Sequence, residues 1–245
     1  MKLTIIGSNS AGNSYLLGND QETLILECGV RFDRIQQALG FNLKKVVGCL
    51  ISHEHKDHCK SVHNILRAGI NAYTSAGTHK AMGTSDHHRA WNLESGKQAM
   101  IGNFKVLPFD VMHGAAQPFG YLIYHDECGS VLFLTDSYYS RYKFSGLNNI
   151  ILEANYCENI LQEQYEAGVA KKYRDHVIEG HMSIQTCKEL LKANDLSQVN
   201  NIVLIHLSDG NSDALRFQRE VQEVTGKTVH IAEAGMEIPF NKTPF

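Results

Sequence analysis

The feature that most constrains the fold of this chain is a β-rich pattern that occurs twice. Residues 13–29, NSYLLGNDQETLILECG, contain an apolar run, a polar turn and a second apolar run that ends near Glu27. Residues 119–137, FGYLIYHDECGSVLFLTDS, have the same order, with Asp136 near their end. Short β-rich runs separated by turn residues predict two β-hairpins. Each hairpin follows a further β-rich segment, at residues 3–8 and 103–113.

Helical patterns follow each hairpin, with glycine at the end of two and serine at the start of two, as is typical of helix ends. They cover residues 31–40, 60–69, 183–194 and 212–226, with Ser183 and Ser212 as predicted N-caps. Further β-rich runs lie at residues 44–52, 70–75, 200–208 and 228–234. The least periodic interval, 78–100, predicts a helix start that continues as a surface loop. Together these patterns predict an α/β fold in which two mixed sheets pack face to face with helices outside.

Composition sets limits on domains and partners. The 245 residues are 43% hydrophobic and contain no proline- or glycine-rich linker, so we expect one domain over residues 1–245. The net charge of −3 gives no general attraction to nucleic acid or to anionic membranes, so polyanion binding would need a local patch. The chain shows no signal-like start and no apolar run of about 18 residues, which predicts no membrane association. Six scattered cysteines without a CxxC pair predict buried thiols in a reduced, cytoplasmic protein.

A cluster of metal-binding residue types follows the β-rich run 44–52. Residues 51–60 read ISHEHKDHCK and contain His53, His55, Asp57 and His58. Since His53 and His55 are two positions apart, extended backbone places both side chains on one face, which suits two ligands of one metal ion. Asp57 and His58 follow where the chain turns into a helix, and they point elsewhere, as ligands of a second ion would.

The segment HEHKDH resembles the signature of the metallo-β-lactamase superfamily, and this resemblance implies a four-layer αββα sandwich. It also implies three further ligands, and the chain has candidates where strand-like segments end: His113, Asp136 and His206. By resemblance, His53, His55 and His113 would bind one metal ion, Asp57, His58 and His206 a second, and Asp136 would bridge the two. Glu27 stands where the family usually has Asp. It either supports the loop of residues 53–58, called the histidine loop below, or is a strand-end acid in solvent.

The ligand chemistry agrees with this resemblance. Five histidines and two carboxylates without a thiolate form a site suited to Zn²⁺, Mn²⁺ or Fe. Two divalent ions about 3.5–4 Å apart would activate a shared hydroxide. They would also bind the attacking and the leaving oxygen of a displacement reaction. A carboxylate is expected to bridge ions of like charge, and Asp136 is interpreted as the only downstream acid at the end of so apolar a strand.

The ligand set narrows the activity that the resemblance implies. β-Lactam hydrolases usually lack the bridging aspartate, and flavodiiron oxidoreductases replace one cluster histidine with glutamate, so Asp136 and His55 argue against both classes. Phosphodiesterases and nucleases of the superfamily carry a histidine near the scissile phosphate, in a segment similar to EGHMSIQTCKELL, where His181 precedes Ser183. An imidazolium there would protonate the departing alkoxide.

Further phrases resemble one bacterial branch of the superfamily, the YycJ/WalJ-type DNA exonucleases. They are GSNSAGNSYLL, HGAAQPFGY, LEANYCENIL, GHMS and HLSDGN, and they span most of the chain. The resemblance implies a DNA exonuclease that uses a dimetal-bound hydroxide, with Asp57, Asp136 and His181 as catalytic residues. An ester, thiolester or lactone hydrolase with the same dinuclear site is the first alternative, and a non-catalytic binding module is the second.

If DNA is the substrate, basic and aromatic residues should line one rim of the site. The basic candidates are Lys44, Lys45, Arg141, Lys143, Lys171, Lys172 and Arg174. The aromatic candidates, which could stack on bases, are Tyr138, Tyr139, Tyr142 and Tyr156. Ser8 and Asn9, before Gly12, are candidates for polar contacts. Charged runs and tyrosines are also common on surfaces that bind nothing, so this set is an expectation only.

Overall fold

A computed structural model describes residues 1–243 of the chain. Up to residue 101 the strands are β1 (Lys2–Gly7), β2 (Ser14–Gly18), β3 (Thr23–Leu26), β4 (Val46–Leu50), β5 (Ala72–Ser75), β6 (Ala90–Leu93) and β7 (Ala99–Ile101). After residue 101 they are β8 (Phe104–Asp110), β9 (Phe119–His125), β10 (Gly129–Leu134), β11 (Leu147–Glu153), β12 (Asn201–Ile205), β13 (Thr228–Ile231) and β14 (Glu237–Pro239).

The helices of residues 1–243 are short. They are α1 (Phe32–Ala38), α2 (Lys56–Cys59), α3 (Val62–Arg67), α4 (Ala76–Met82), α5 (Glu158–Glu166), α6 (Lys171–Gly180), α7 (Ile184–Lys192) and α8 (Ala214–Thr225). A 3-10 turn at Leu43–Lys45 precedes β4. No helix in this described range has the length and apolar character that a membrane span needs.

The strands form two seven-stranded mixed sheets within the described residues. The first sheet has the order β14-β1-β2-β3-β4-β5-β6, and the second has the order β13-β12-β11-β10-β9-β8-β7. Both predicted hairpins are present, because β2 pairs with β3 and β9 pairs with β10 in antiparallel register. Parallel pairs continue from each hairpin, β3 to β4 in the first sheet and β10 to β11 to β12 in the second.

Three buried clusters place these elements in four layers. The cluster between the sheets contains Leu3 and Tyr15 from the first sheet and Phe119 and Phe133 from the second. A second cluster joins the outer face of β3 and β4 to α1, α2 and α3, and a third joins β10, β11 and β12 to α7 and α8. Because the strands are covered on both faces, their sequences are apolar almost throughout. The predicted αββα sandwich is therefore confirmed.

Some local predictions were wrong. The interval 78–100 contains β6 and β7 as well as the end of α4, so it is not mainly a surface loop. The N-cap of α8 is Asp213, whose side chain accepts a hydrogen bond from the backbone N–H of Arg216, and not Ser212. Ser183 does cap α7, as predicted, by accepting from the backbone N–H of Thr186. Helices α5 and α6 were not predicted from the sequence.

All six cysteines are buried free thiols, as expected. The division of the chain into one domain and its cytoplasmic location stay predictions.

Candidate metal centre

The candidate site lies where parallel strands of both sheets end. Glu27 follows β3, His206 follows β12, and Asp136 comes two residues after β10. These three have positive φ angles of 62°, 54° and 44°, respectively, a conformation that costs energy for any residue other than glycine. Such backbone strain is typical of functional sites. Here each strained residue lies where its segment leaves a strand. The fold therefore brings distant segments to one edge of the sandwich.

A first group of side chains consists of His53, His55, His113 and Asp136. Their ligand atoms all lie within 4.8 Å of one another. His55 Nδ1 lies 2.9 Å from His53 Nε2 and 3.1 Å from His113 Nε2. Asp136 Oδ2 is 3.7 Å from both His53 Nε2 and His113 Nε2. The three histidines that the resemblance assigns to one ion therefore meet at one point.

A second group consists of Asp57, His58 and His206, and Asp136 also reaches it. Asp57 Oδ2 lies 3.2 Å from His58 Nε2 and 3.2 Å from His206 Nε2. Asp136 Oδ1 lies 3.3 Å from His58 Nε2 and 3.9 Å from His206 Nε2. The two oxygens of Asp136 thus face different groups, which is the arrangement that a bridging carboxylate requires.

These donor atoms fit a divalent cation. Three imidazole nitrogens that approach within 2.9–3.1 Å repel one another through their lone pairs unless a proton or cation lies between them. A tetrahedral ion with bonds of about 2.1 Å has ligand–ligand distances of about 3.4 Å, close to the separations in both groups. Nitrogen and carboxylate donors without a thiolate suit Zn²⁺, Mn²⁺ or Fe. The number and identity of the ions stay predictions.

The second ring nitrogen of most of these histidines is held by a neighbouring group. His113 Nδ1 donates to the carbonyl of Gly180 at 2.7 Å. His53 Nδ1 lies 2.9 Å from the hydroxyl of Ser52, and His206 Nδ1 lies 2.9 Å from the side-chain amide of Asn155. Such contacts fix the orientation of each ring, and they are the usual surroundings of metal-binding histidines.

Glu27 supports the histidine loop and is not a solvent-exposed acid. Its side chain is fully buried, Oε1 accepts a hydrogen bond from the backbone N–H of Ser52 at 2.9 Å, and Oε2 lies 3.4 Å from His58 Nδ1. Burial raises the pKa of Glu27 above its ordinary value, although the contacts with His58 and Ser52 oppose this shift. A glutamate therefore reaches both ends of the loop.

The loop that follows β1 supports the second group, a role that the sequence analysis missed. The backbone N–H of Asn13 donates to the carbonyl of Asp57 at 2.7 Å, and its side-chain amide lies 3.3 Å from His58 Nε2. The hydroxyl of Ser8 accepts from the backbone N–H of His206 at 3.0 Å and lies 2.8 Å from the hydroxyl of Tyr15. In the sequence, GSNSAGNS contributes to the resemblance and its Ser8 is a candidate for polar contacts with DNA, but no local periodicity indicates the contacts with Asp57, His58 and His206.

Glu153 is a second buried acid at the site that sequence reasoning missed. It is the last residue of β11, and its side chain is fully buried. The interpretation of Asp136 as the only downstream acid at the end of so apolar a strand was therefore wrong. Oε1 accepts from His181 Nδ1 at 2.7 Å, and Oε2 accepts from the backbone N–H groups of Ser137 and Met182, each at 3.1 Å. The run NNIILE, which ends in an acid as the run before Asp136 does, was the available signal.

His181 lies beside both metal-binding groups. It occupies the junction between α6 and α7, its ring stacks on His206 with centroids 5.2 Å apart, and Nδ1 is 3.8 Å from Asp136 Oδ2. Its side chain is 14% exposed, so it is reachable from solvent. Burial lowers the pKa of His181, but the charge of Glu153 and the hydrogen bond to it outweigh burial and raise that pKa. Glu153 therefore shifts the balance toward the imidazolium form.

The charges of the site attract cations. Burial opposes ionisation of Asp136, but the nearby charges of His58 and His206 hold its pKa well below the usual range. Burial and the charge of His58 lower the pKa of His53 well below its ordinary value, so this imidazole is neutral, as a metal ligand must be. For His206 burial lowers the pKa, yet Asp136, Asp57 and Glu153 raise it to about 10. The carboxylates thus favour positive charge at the positions where a divalent ion would bind.

The proposed DNA contacts fall in different places. Lys44 and Lys45 precede β4, at the opposite end of that strand from the histidine loop, and Tyr156 is buried. These three positions do not line the site. Tyr138 and Tyr139 are exposed in the segment directly after Asp136. The remaining candidates lie on that segment or on α6, apart from Ser8 and Asn9 after β1; they are Arg141, Tyr142, Lys143, Lys171, Lys172 and Arg174.

Comparison with known proteins identifies relatives along most of the chain. The family model described as "Beta-lactamase superfamily domain" matches residues 27–207. Exodeoxyribonuclease WalJ of Streptococcus pneumoniae is 28% identical over 227 residues, which are 86% of this chain and 83% of that protein. Exodeoxyribonuclease YycJ of Bacillus anthracis is 24% identical over 248 residues, covering 96% of this chain and 93% of that protein.

Solved structures agree on the fold. The metallo-β-lactamase fold protein YhfI of Bacillus subtilis has a TM-score of 0.76 at 17% identity, covering 97% of this chain and 98% of that one. The Zn²⁺-bound PqqB of Methylobacterium extorquens has a TM-score of 0.70 at 13% identity, with 98% and 100% covered. The short form of human tRNase Z has a TM-score of 0.65 at 17% identity, with 98% and 99% covered.

Proposed function

The chain belongs to the metallo-β-lactamase superfamily of hydrolases, and from this membership we propose that it is a dinuclear metal-dependent phosphodiesterase that degrades DNA from an end. The observation that carries the proposal is the convergence of five histidines and two aspartates from segments up to 153 residues apart, His53 to His206. The support for DNA as substrate is that both curated relatives described above are named exodeoxyribonucleases.

Each group of side chains would hold one divalent ion. His53, His55 and His113 would bind the first, the second group would bind the other, and Asp136 would contact both. When bound, the two ions would lower the pKa of a water molecule and neutralise charge on the phosphate. Asp57 and Asp136 act in the reaction by keeping this pair of charges in place.

The pair formed by His181 and Glu153 supports a phosphodiester as the substrate. The oxygen that leaves phosphorus becomes an alkoxide, which needs a proton because its conjugate acid is very weak. Nδ1 of His181 donates to Glu153 at 2.7 Å, so a proton for the leaving oxygen would come from Nε2 of the imidazolium. A thiolester has a less basic leaving group, a thiolate, and depends less on such an acid.

The first test is hydrolysis of bis-p-nitrophenyl phosphate in metal-controlled buffer. We expect His58→Ala or Asp136→Ala to abolish it, because each substitution removes a ligand atom from the site. His63→Ala, an exposed histidine of α3, serves as the matched control and should behave as wild type. Retained activity in either site variant would refute the assignment of the metal centre.

Substrate class is tested separately. Rates on single- and double-stranded DNA with open ends should exceed rates on end-blocked DNA, on RNA and on a lactone panel, with Mn²⁺ and Zn²⁺ supplied in turn. His181→Ala should reduce cleavage of DNA and spare thiolesters, because a thiolate leaves without protonation. A preference for lactones or thiolesters would replace the proposed function with the ester-hydrolase alternative, and full activity on end-blocked linear DNA would exclude an exonuclease.

A further inference from the structure

A cleft of about 610 Å³ opens beside the second metal-binding group. Its lining includes Ser8, which contacts the backbone of His206 at 3.0 Å, and Leu207, which follows that histidine. It also includes Lys60, two residues after His58, and Gly12, directly before the Asn13 that contacts Asp57. The cleft is therefore built from the segments that hold Asp57, His58 and His206, although the side chains of these three residues do not line it.

Charge is distributed unevenly across this cleft. Segments attached to the first sheet contribute Arg31, Arg34 and Lys60, whereas segments after β12 and β13 of the second sheet contribute Asp209 and Glu233. Arg31 is paired with Asp33 at 2.6 Å, and Arg34 donates to the carbonyl of Ile6. Lys60 is exposed and has no ion pair within the described part of the chain. One wall therefore attracts phosphate and the other repels it.

We propose that this cleft binds the single DNA strand that continues from the scissile phosphodiester, with its phosphates along the wall of Arg31 and Lys60. The inference rests on the proposed function, since a polymeric substrate must continue on one side of the cleaved bond. The volume lies within the range of about 300–1,000 Å³ that ligand sites occupy. This volume is that of a cube with edges of about 8.5 Å, and a duplex is wider than its major groove of ~12 Å, so we expect the cleft to take one strand and not a duplex.

The acids of the second wall give the strand an orientation. Phosphates approach Lys60 and Arg31 and avoid Asp209 and Glu233, so the sugars and bases would lie toward the second sheet. The whole chain has a net charge of −3 and therefore no general attraction for DNA. Binding would depend on the local charges of the two walls of the cleft. Substitutions on the two walls should therefore change affinity in opposite directions.

The test measures binding of a fluorescein-labelled, single-stranded phosphorothioate dodecamer to the metal-loaded, full-length protein by fluorescence anisotropy. Lys60→Glu and Arg31→Glu should each weaken binding about tenfold, and Asp209→Asn should tighten it about twofold. The slope of log Kd against log salt should fall by about 0.7 for each phosphate that the variant no longer neutralises. Lys44→Glu, at the far end of β4, is the control with the same charge change and should match wild type.

Each outcome decides a different claim. Equal affinities of Lys60→Glu, Arg31→Glu and Lys44→Glu would overturn the cleft, as would binding of duplex as tight as that of single strands. Hydrolysis of bis-p-nitrophenyl phosphate by the wild type tests the proposed chemistry independently. A protein that fails that assay but shows the opposite-sign charge effects would refute the phosphodiesterase and support the strand-binding cleft.

Discussion

Glu153 is the single residue on which the proposed proton transfer most depends. Its carboxylate contacts His181 Nδ1 at 2.7 Å, and its charge is the largest of the influences that raise the pKa of that histidine. The same side chain accepts hydrogen bonds from two backbone N–H groups, on the segments that follow Asp136 and His181. We regard it as a positioning residue, because it acts on the substrate only through His181.

We expect Glu153→Gln to lower kcat on DNA by about 10²-fold near pH 8. Glutamine keeps the size of the side chain and loses its charge, so the pKa of His181 falls. A general acid is active only when protonated, and activity is lost as pH rises through its pKa; the alkaline limb of the kcat profile should therefore move to lower pH. Glu179→Gln, an exposed acid two residues before His181, is the control. An unshifted alkaline limb in Glu153→Gln would show that the residue is only structural.

The metal-binding residue types could be predicted from the sequence because they are crowded into a few positions or stand at strand ends. HEHKDH has a spacing that packing alone does not require, and the runs before His113, Asp136 and His206 are apolar. Glu153 has the same signal as Asp136, an acid at the end of an apolar strand, but the resemblance implies no role for it. Asn13 and Ser8 offered no signal, since their contacts lie 44 and 198 residues away in sequence.

At the scale of elements, the N-cap of α7 was predicted correctly from the sequence and the N-cap of α8 was not. Ser183 and Asp213 each accept a hydrogen bond from the backbone N–H three residues later, the usual geometry of an N-cap. Ser212 precedes the true cap of α8, and its hydroxyl instead donates to the carbonyl of Ser208. Adjacent serine and aspartate residues are nearly equivalent as caps in sequence, and the path of the preceding loop decides between them.

We expect Asp213→Ala to reduce the free energy of unfolding by about 1 kcal/mol, because it leaves a backbone N–H at the start of α8 without its partner. Ser212→Ala should cost clearly less. Urea denaturation of both variants and wild type measures the difference, provided that the m-values agree. A larger loss in Ser212→Ala than in Asp213→Ala would contradict the observed cap.

Short edge strands were the elements hardest to predict. β6 and β7 contain four and three residues and form the outer edges of their sheets, so neither sequence shows the alternation of a half-buried strand. Their strand conformation comes from pairing with β5 and β8, which are already anchored in the core. Local propensity therefore favoured a loop, and tertiary pairing overrode it.

At the scale of the whole molecule, the candidate site joins the two sheets. The histidine loop belongs to the first sheet, and His113, Asp136 and His206 belong to the second. An ion held by both halves binds the folded state and not the unfolded chain, so it should stabilise the protein. Without the ion, the carboxylates stabilise protons on His206, whose pKa is raised to about 10.

Chelation should therefore change how stability depends on pH. In the metal-free protein, protonated His206 contributes to the free energy of unfolding because its pKa is higher in the folded than in the unfolded state. This contribution is fully present below about pH 6.5 and is lost as pH rises toward 10. Metal ions compete with protons for the ligand nitrogens, so the stabilisation of the folded protein by metal ions grows with pH. At a hundredfold excess over Kd we expect about 2.7 kcal/mol, or about 5–10 °C in Tm, at pH 8 and much less at pH 5.5.

Differential scanning calorimetry with Mn²⁺ or Zn²⁺, and with a chelator, measures this difference in Tm across the pH range. Lys44→Ala should reproduce the wild-type values, whereas Asp136→Ala should lose the metal effect. A metal-induced rise in Tm that is equal at pH 5.5 and pH 8 would show that the ions do not displace protons from these histidines.

By itself, the sequence determined the two hairpins, the αββα layering and the residue types available for a metal centre. These are encoded locally, in the succession of apolar runs, polar turns and helical patterns and in the crowding of histidines within six positions. Only the tertiary structure decided that Glu153 supports His181, that the loop after β1 braces the second group, and that a cleft with oppositely charged walls adjoins it. Those features depend on contacts between positions far apart in the chain, and such contacts exist only after both sheets have packed together.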